Sequence, residues 1–246
     1  MTVDFWGTLL FDGPGSDDRY RAPRMRDFES ILNGAGRRIS RAALDRGYAE
    51  SARLLRELWS KNRDVPVIEH VRAVLAGADR ALPDGLSAAT LAALVDAYAR
   101  PILRVPPTVD DGALAALRTL RERGCTLALV SNTMRTPGAT LRTLLARYGL
   151  LDCFAHTTFS DEVGVRKPDP EIFALTLRAV SGEPETSVHV GDDATLDVQG
   201  ARAARMRVIQ VTGHAPNGPP SSQPDAVIAR LSALPEAIAR LDTARP

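Results

Sequence analysis

The stretch Thr126-Leu127-Ala128-Leu129-Val130-Ser131-Asn132-Thr133 decides the fold. A short apolar run without polar alternation is a strand buried on both faces, and this one breaks into small polar residues at its carboxyl end. A helical pattern precedes it. Leu114, Leu117 and Leu120 recur within residues 112–123, and Gly124 stops them. A second helix follows at 139–148 and stops at Gly149. The alternation continues outward: a weaker strand at 154–159, a helix at 170–180, a strand at 187–190 and a helix at 196–204. Strands at 208–211 and 226–228 and a final helix near 234–241 close the chain. Strand–helix alternation with short links predicts a doubly wound parallel sheet, Rossmann-like, covered on both faces.

Upstream the pattern changes. Residues 2–10 are apolar and aromatic and read as one buried strand, which runs into the loop chemistry of Phe11-Asp12-Gly13-Pro14-Gly15. Residues 16–107 read as helical throughout. Ser40 caps a helix carrying Tyr48, Leu54, Leu55 and Leu58. Val67, Val71 and Val74 mark a second, ended by Gly77. Leu91, Leu94, Val95 and Tyr98 mark a third, stopped before Pro101. Pro106-Pro107 reads as a stiff linker. The expected domains are an α/β core from residues 1–15 and 108–246, and an all-helical insert from 16–107.

Composition excludes several classes. Hydrophobic residues make up 44% of the 246, enough to build a core and too many for a disordered chain. Lys and Arg number 31 against 30 Asp and Glu, a net +1, so no global field attracts nucleic acid or an acidic membrane. No apolar run approaches the ~20 residues of a membrane span. Met1-Thr2-Val3-Asp4 lacks the basic region and apolar core of a signal peptide. Cys125 and Cys153 read as reduced, small apolar residues. These observations predict a soluble cytoplasmic protein, monomer or homodimer, with no nucleic-acid or membrane partner. Only three residues precede Asp4, so either the first strand is trimmed or the natural start lies upstream.

Three polar signals fall just past strand ends, where open parallel sheets bind ligands. They are Asp4 in Val3-Asp4-Phe5-Trp6-Gly7-Thr8, Ser131 with Asn132, and Gly191-Asp192-Asp193 with Asp197. A fourth, Lys167 in Lys167-Pro168-Asp169-Pro170, sits in a loop before a helix. Carboxylates from two strand ends suit Mg²⁺, a hard cation that prefers oxygen. A lysine supplies a compact charge for a phosphoryl group. A hydroxyl and free backbone N–H groups at a helix start suit phosphate oxygens. One carboxylate, relieved of repulsion by metal and lysine, is then available as a nucleophile.

Asp4 with Gly7-Thr8, then Ser131-Asn132, then Lys167-Pro168-Asp169-Pro170, then Gly191-Asp192-Asp193 with Asp197 resembles, in that order, the motif set of the haloacid dehalogenase (HAD) superfamily. The resemblance covers essentially the whole chain, with the helical insert matching a cap after the first motif. It implies that Asp4 is the nucleophile, forms an aspartyl-phosphate and ligates Mg²⁺. Thr8 and Ser131 would contact the phosphoryl group, helped by the Asn132 backbone, and Lys167 would neutralise charge on nucleophile and phosphoryl. Asp192 would bind the metal directly, as would the Trp6 backbone carbonyl. Asp193 or Asp197 would hold metal-bound water or orient Lys167.

The chain departs from the family's phosphatases at Trp6, where they carry a second aspartate as acid and base. Indole has one N–H donor and no titratable proton near neutrality, and general acid–base help is worth ~10²–10⁴ in rate. Family members that cleave carbon–halogen or carbon–phosphorus bonds also lack that aspartate, yet the dehalogenases lack the Gly-Asp-Asp metal motif kept here. The favoured expectation is a Mg²⁺-dependent phosphatase acting on a small phosphorylated metabolite. Two alternatives stay open: a dehalogenase- or phosphonatase-like hydrolase attacking carbon or a phosphonate, and a catalytically degraded binding protein on the same fold.

Plainer readings stand beside the sharp ones. Asp192 and Asp193 also suit helix capping, and Asp197 suits a helix-dipole partner as well as support for a metal site. Trp6 suits core packing or a site wall. Arg19, Arg21, Arg24 and Arg26 ordinarily form a solvated face, with recognition of an anionic substrate tail as the minor reading. His156 and His189 read as structural histidines, without the partner spacing of a zinc site.

Overall fold

The computed structural model describes residues 1–12, 16–213 and 223–243. Its strands are β1 (Thr2–Val3), β2 (Leu10–Phe11), β3 (Thr108–Val109), β4 (Ala128–Ser131), β5 (His156–Phe159), β6 (Val188–Gly191), β7 (Arg207–Val211) and β8 (Ala226–Ile228). Six form one parallel sheet in the order β5-β4-β1-β6-β7-β8. β1 is central, with β4 on one side and β6 on the other, so the strand order reverses at its flanks. That reversal opens a crevice at the carboxyl edge, and Asp4 is the first residue beyond β1.

The expected first strand is shorter than residues 2–10. Gly7 has φ +74° and its N–H bonds to the Leu10 carbonyl, while the Leu9 and Leu10 N–H groups both reach the Phe5 carbonyl. This tight turn ends the strand. Leu10–Phe11 instead pair antiparallel with Thr108–Val109 in a two-stranded ribbon. Pro106-Pro107 therefore leads directly into a paired strand. Gly13, Pro14 and Gly15 of the expected loop lie outside the described residues.

Among the described residues, five α-helices run between the ribbon strands: α1 (Ser16–Gly34), α2 (Arg41–Trp59), α3 (Val67–Ala78), α4 (Ala88–Ala99) and α5 (Pro101–Arg104). The Ser40 side chain caps α2 by accepting from the Ala43 N–H. α1 falls within the stretch read as helical, though the sequence did not single it out. Its charged composition and Pro23 mask the stripe Met25, Phe28 and Leu32, which is wholly buried. Gly77 does not end α3. A Cβ there would stand 2.8 Å from the Gly47 Cα, so this glycine marks where α3 crosses α2 closely. The helical segment has its own core, with Phe28, Leu44, Val71, Leu75 and Leu94 among its members, separate from the two clusters that line the sheet.

The sheet is flanked by α6 (Ala113–Glu122), α7 (Gly138–Arg147), α8 (Ser160–Val163), α9 (Pro170–Ala179), α10 (Gly200–Ala203) and α11 (Leu234–Thr243). Leu117 and Leu120 of α6 are fully buried while Leu114 is only partly so; each full burial contributes about 1.5–3 kcal/mol. The expected helix at 196–204 is a π-helical turn (Ala194–Gln199) that continues into α10. Among the described residues, no helix is long and apolar enough to cross a membrane.

Candidate active site

The residues following β1, β4 and β6 converge with the loop before α9. Asp4, Trp6, Asn132, Lys167, Asp192, Asp193 and Asp197 all line one cavity of about 510 Å³. Lys167 is almost wholly buried. Its Nζ donates to an Asp4 carboxylate oxygen and, at 2.5 Å, to Asp197 Oδ1. Asn132 fixes the lysine backbone from both sides: its Nδ2 donates to the Lys167 carbonyl (3.0 Å) and its Oδ1 accepts from the Lys167 N–H (2.8 Å). The side chain of Asn132 thus holds Lys167 in place.

Asp197 also accepts from the Asp193 N–H (3.0 Å) and lies 3.0 Å from His189 Nε2. His189 is fully buried, with Thr2 Oγ1 2.9 Å from its Nδ1. Burial lowers its proton affinity despite the adjacent Asp197. Asp193 caps the π-helical turn, accepting from Thr195 and Leu196 N–H groups.

Thr8 and Ser131 do not line the cavity. Both are wholly buried: Thr8 donates to Asp192 Oδ1 (3.3 Å), and Ser131 Oγ donates to the Asn132 carbonyl (3.3 Å). Gly7 allows the first loop to approach Asp192. A Cβ there would sit 2.3 Å from Asp192 Oδ2, at a φ that side chains avoid.

Electrostatics separate the carboxylates. Burial lowers the proton affinity of Lys167, but Asp197 and Asp4 outweigh it and hold the ammonium charged. Lys167 and His189 likewise outweigh burial at Asp197 and keep it ionised. Asp4 goes the other way. Burial and the charges of Asp197 and Asp192 raise its proton affinity more than Lys167 lowers it. Asp192 is pushed up to about 6 by burial and Asp197. The opposite shifts at Asp4 and Asp197 are compatible: one ammonium shared among the carboxylates satisfies Asp197 first and leaves a deficit at Asp4.

Oxygens of Asp4, Asp192 and Asp197 lie within 4.8 Å of one another, a cluster able to hold a metal ion. With all three ionised, three carboxylates against one ammonium leave two negative charges, which a divalent cation would balance. An all-oxygen donor set suits a hard cation. The residues present therefore fit Mg²⁺.

Trp6 packs edge-on to Phe5, with ring centres 4.8 Å apart, and its indole N–H is buried without a hydrogen-bond partner among the described residues.

Arg166 and Arg135 of the lining, and Asp64 behind it, escaped the sequence reading. Arg166 precedes Lys167 and donates to Asp64 Oδ2 (2.5 Å) while stacking on Trp59, both from the helical segment. Asp64 also accepts from Ser160 Oγ (2.5 Å), Thr133 Oγ1 (3.2 Å) and Trp59 Nε1 (3.2 Å). Backbone pairing reinforces this bridge: the Asp64 N–H reaches the Gly164 carbonyl, and the Arg166 N–H reaches the Asn62 carbonyl. Arg24 and Arg135 line the cavity too. Arg24 is 1% exposed, so the solvated-face reading of the arginine run fails at this position. The clue available was its place one residue before the buried stripe Met25, Phe28 and Leu32.

Known proteins resemble this chain along its length. The family model for haloacid dehalogenase-like hydrolases matches residues 1–205. A phosphoserine phosphatase of Thermus thermophilus is 30% identical over 244 residues, spanning 94% of this chain and 95% of that protein. A phosphoglycolate phosphatase of Pseudomonas putida is 30% identical over 233 residues, spanning 85% and 83%. Higher identity is local: the haloacid dehalogenase-like hydrolase domain-containing protein 3 of Bos taurus is 40% identical over 111 residues, or 45% of this chain and 43% of that protein's length. The fold is shared with a 2-haloacid dehalogenase from Pseudomonas syringae (24% identity, TM-score 0.68, 98% of this chain and 97% of that one). With its family match running from the first strand through the acidic cluster, the chain belongs to the haloacid dehalogenase-like hydrolases.

Proposed function

We propose that the protein is a magnesium-dependent phosphatase of small phosphorylated metabolites, working through an aspartyl-phosphate on Asp4. The observation that carries this is the charge balance at the sheet edge: Asp4, Asp192 and Asp197 around the single ammonium of Lys167. Two relatives alignable along most of the chain bear phosphatase names, which supports the same reading.

Asp4 and Asp192 would hold the metal, with Asp197 behind them; the Trp6 backbone carbonyl is a further ligand by family resemblance. Bound there, Mg²⁺ supplies positive charge to the phosphoryl oxygens. Lys167 adds a second positive charge, and only together with the bound cation would it hold Asp4 ionised for attack. An Asp4 oxygen bonds to phosphorus as the bond to the leaving oxygen breaks, and water then cleaves the Asp4–phosphoryl bond. The leaving oxygen needs a proton that the Trp6 side chain does not give. The expected enzyme is therefore slow on simple alkyl phosphates. The helical insert acts as a cap that excludes water and selects the substrate.

The test is phosphate release from a panel of phosphomonoesters, with and without Mg²⁺. Acid-quenched enzyme is examined by mass spectrometry for one phosphoryl group on the Asp4 peptide. Wild type forms the adduct and Asp4→Asn abolishes both adduct and turnover. Halide release from 2-haloacids without added metal would instead support attack on carbon, the second reading, which Trp6 alone favours. An Asp4→Asn variant matching wild type in every activity would leave a binding protein.

A further inference from the structure

β6 is buried along its whole length, yet a histidine stands inside it, at His189 between Val188 and Val190. A buried imidazole is unfavourable unless its nitrogens find partners, whereas an aliphatic side chain would fill the space without that cost. Here both nitrogens are partnered. Thr2 is the register partner of His189 on the neighbouring β1, and its Oγ1 lies 2.9 Å from Nδ1. Nε2 lies 3.0 Å from Asp197 Oδ1. Phe173 of α9 stands edge-on to the imidazole, with 5.0 Å between ring centres. Gly191 shares a strand face with His189, and a Cβ there would sit 2.3 Å from Asp197 Cγ. The glycine thus lets Asp197 lie over the face from which the imidazole reaches it.

Asp197 is the carboxylate that seats Lys167. Its Oδ1 meets both His189 Nε2 and the Lys167 ammonium, the latter at 2.5 Å, and its Oδ2 accepts from the Asp193 N–H. A carboxylate oxygen offers about two lone pairs, so these two donors fill Oδ1. The torsion that turns an aspartate carboxylate is soft, so its partners set the plane. The same ammonium donates to Asp4. A chain of bonds therefore runs from Thr2 through His189, Asp197 and Lys167 to Asp4, and every member is buried. A carboxylate only accepts, so Nε2 carries the imidazole proton. In the neutral ring, Nδ1 then accepts from the Thr2 hydroxyl.

We propose that His189 is a positioning residue: its Nε2–H orients Asp197, Asp197 seats Lys167 against Asp4, and Thr2 holds the ring in turn. The proposal rests on the phosphatase reading for what Lys167 and Asp4 then do, and it adds two residues that stand outside the cavity wall. Their effect reaches the reaction only through the placement of the ammonium.

Two substitutions separate this role from filling space. His189→Gln keeps an N–H donor long enough to meet Asp197, while His189→Asn is one carbon shorter and keeps a polar group at the Thr2 end only. A bond to a charged partner predicts that His189→Asn lowers kcat on p-nitrophenyl phosphate by about 10- to 100-fold with KM little changed. His189→Gln recovers most of that loss, and Thr2→Val shows a smaller loss of the same kind. Lysine labelling reads the seat without turnover. The chain has two lysines, Lys167 and the exposed Lys61. After brief treatment with acetic anhydride, mass spectrometry gives the modification of Lys167 relative to Lys61, which is low in wild type and His189→Gln and rises in His189→Asn. Nitrogen-15 NMR of wild type shows His189 as the Nε2–H tautomer, its signals assigned by their loss in His189→Gln. An asparagine variant with wild-type kcat and a protected lysine overturns the proposal. So does a glutamine variant as impaired as the asparagine one, or an Nδ1–H ring in wild type. If neither variant at 189 folds, Thr2→Val and the wild-type tautomer decide. Absence of turnover on all phosphomonoesters overturns the phosphatase reading instead, and the labelling ratio and tautomer still judge the chain of bonds.

Discussion

Replacing Asp64 with Asn probes the bridge between the helical segment and the lysine loop. Asp64 is fully buried at its side chain and accepts from Arg166, Ser160 and Thr133, all on the sheet side. Burial by itself would raise its pKa. Its neighbours outweigh that and hold it at about 2. His70 Nε2 is 3.8 Å away, beyond hydrogen-bond reach, so Arg166 and Ser160 dominate. A carboxyl titrating at about 2 instead of 3.8 contributes about 2.5 kcal/mol of stability at neutral pH. Its folded value is depressed, so that contribution is complete above the unfolded value of 3.8 and disappears as pH falls through 2. About half is gone at pH 3. The amide keeps the shape but leaves the buried Arg166 without its counter-charge, for which a total near 3–5 kcal/mol is typical. Asp64→Asn should therefore melt at least about 5–10 °C below wild type at pH 7. Scanning calorimetry from pH 7 down to pH 3 measures the gap. Coincident melting at pH 7 would refute the reasoning, and so would a gap that fails to narrow by pH 3.

Two further substitutions extend the test. Trp6→Asp supplies a titratable group where the family's phosphatases have one, and steady-state phosphate release should rise by about 10²-fold or more; no gain means that the site works without that acid. Asp161 is pushed up to about 6, first by burial and then by the charges of Glu162 and Asp64. Its folded value is raised, so its contribution is favourable below 3.8 and is lost as pH rises through 6. Asp161→Asn keeps an acceptor for the Gly138 N–H and should gain up to about 3 kcal/mol at pH 8 and almost nothing below pH 4, read from melting curves.

The α/β alternation was legible because each of its strands is a short apolar run closed by a local stop signal, as in 126–133. Asp4 and Asp192 were legible because strand ends carry them to one edge, and Lys167 and Asp197 because their loop and turn carry a recognisable local pattern. What escaped depends on contacts between distant segments. Asp64 and Arg166 stand 102 positions apart, and neither carries a local mark of its partner. Arg135 looks like any loop arginine until Tyr48 and Tyr98 close on it. α1 was obscured by Pro23 and by charge, although Met25, Phe28 and Leu32 already had helical spacing. Gly77 shows the opposite error, a residue type taken as a stop that in fact serves a helix crossing. At the first strand, the positive φ of Gly7 ended a run whose apolar character continued.

The antiparallel ribbon of Leu10–Phe11 and Thr108–Val109 ties the two chain crossings of the helical segment together. They are yoked like the two leaves of one hinge, so neither pivots without dragging the other. Asp64, bolted to Arg166 elsewhere along the seam, fastens the helical segment to the sheet at a further point. The same bolt is anchored one residue from Lys167. Any strain on that bolt therefore falls beside the ammonium seated between Asp4 and Asp197.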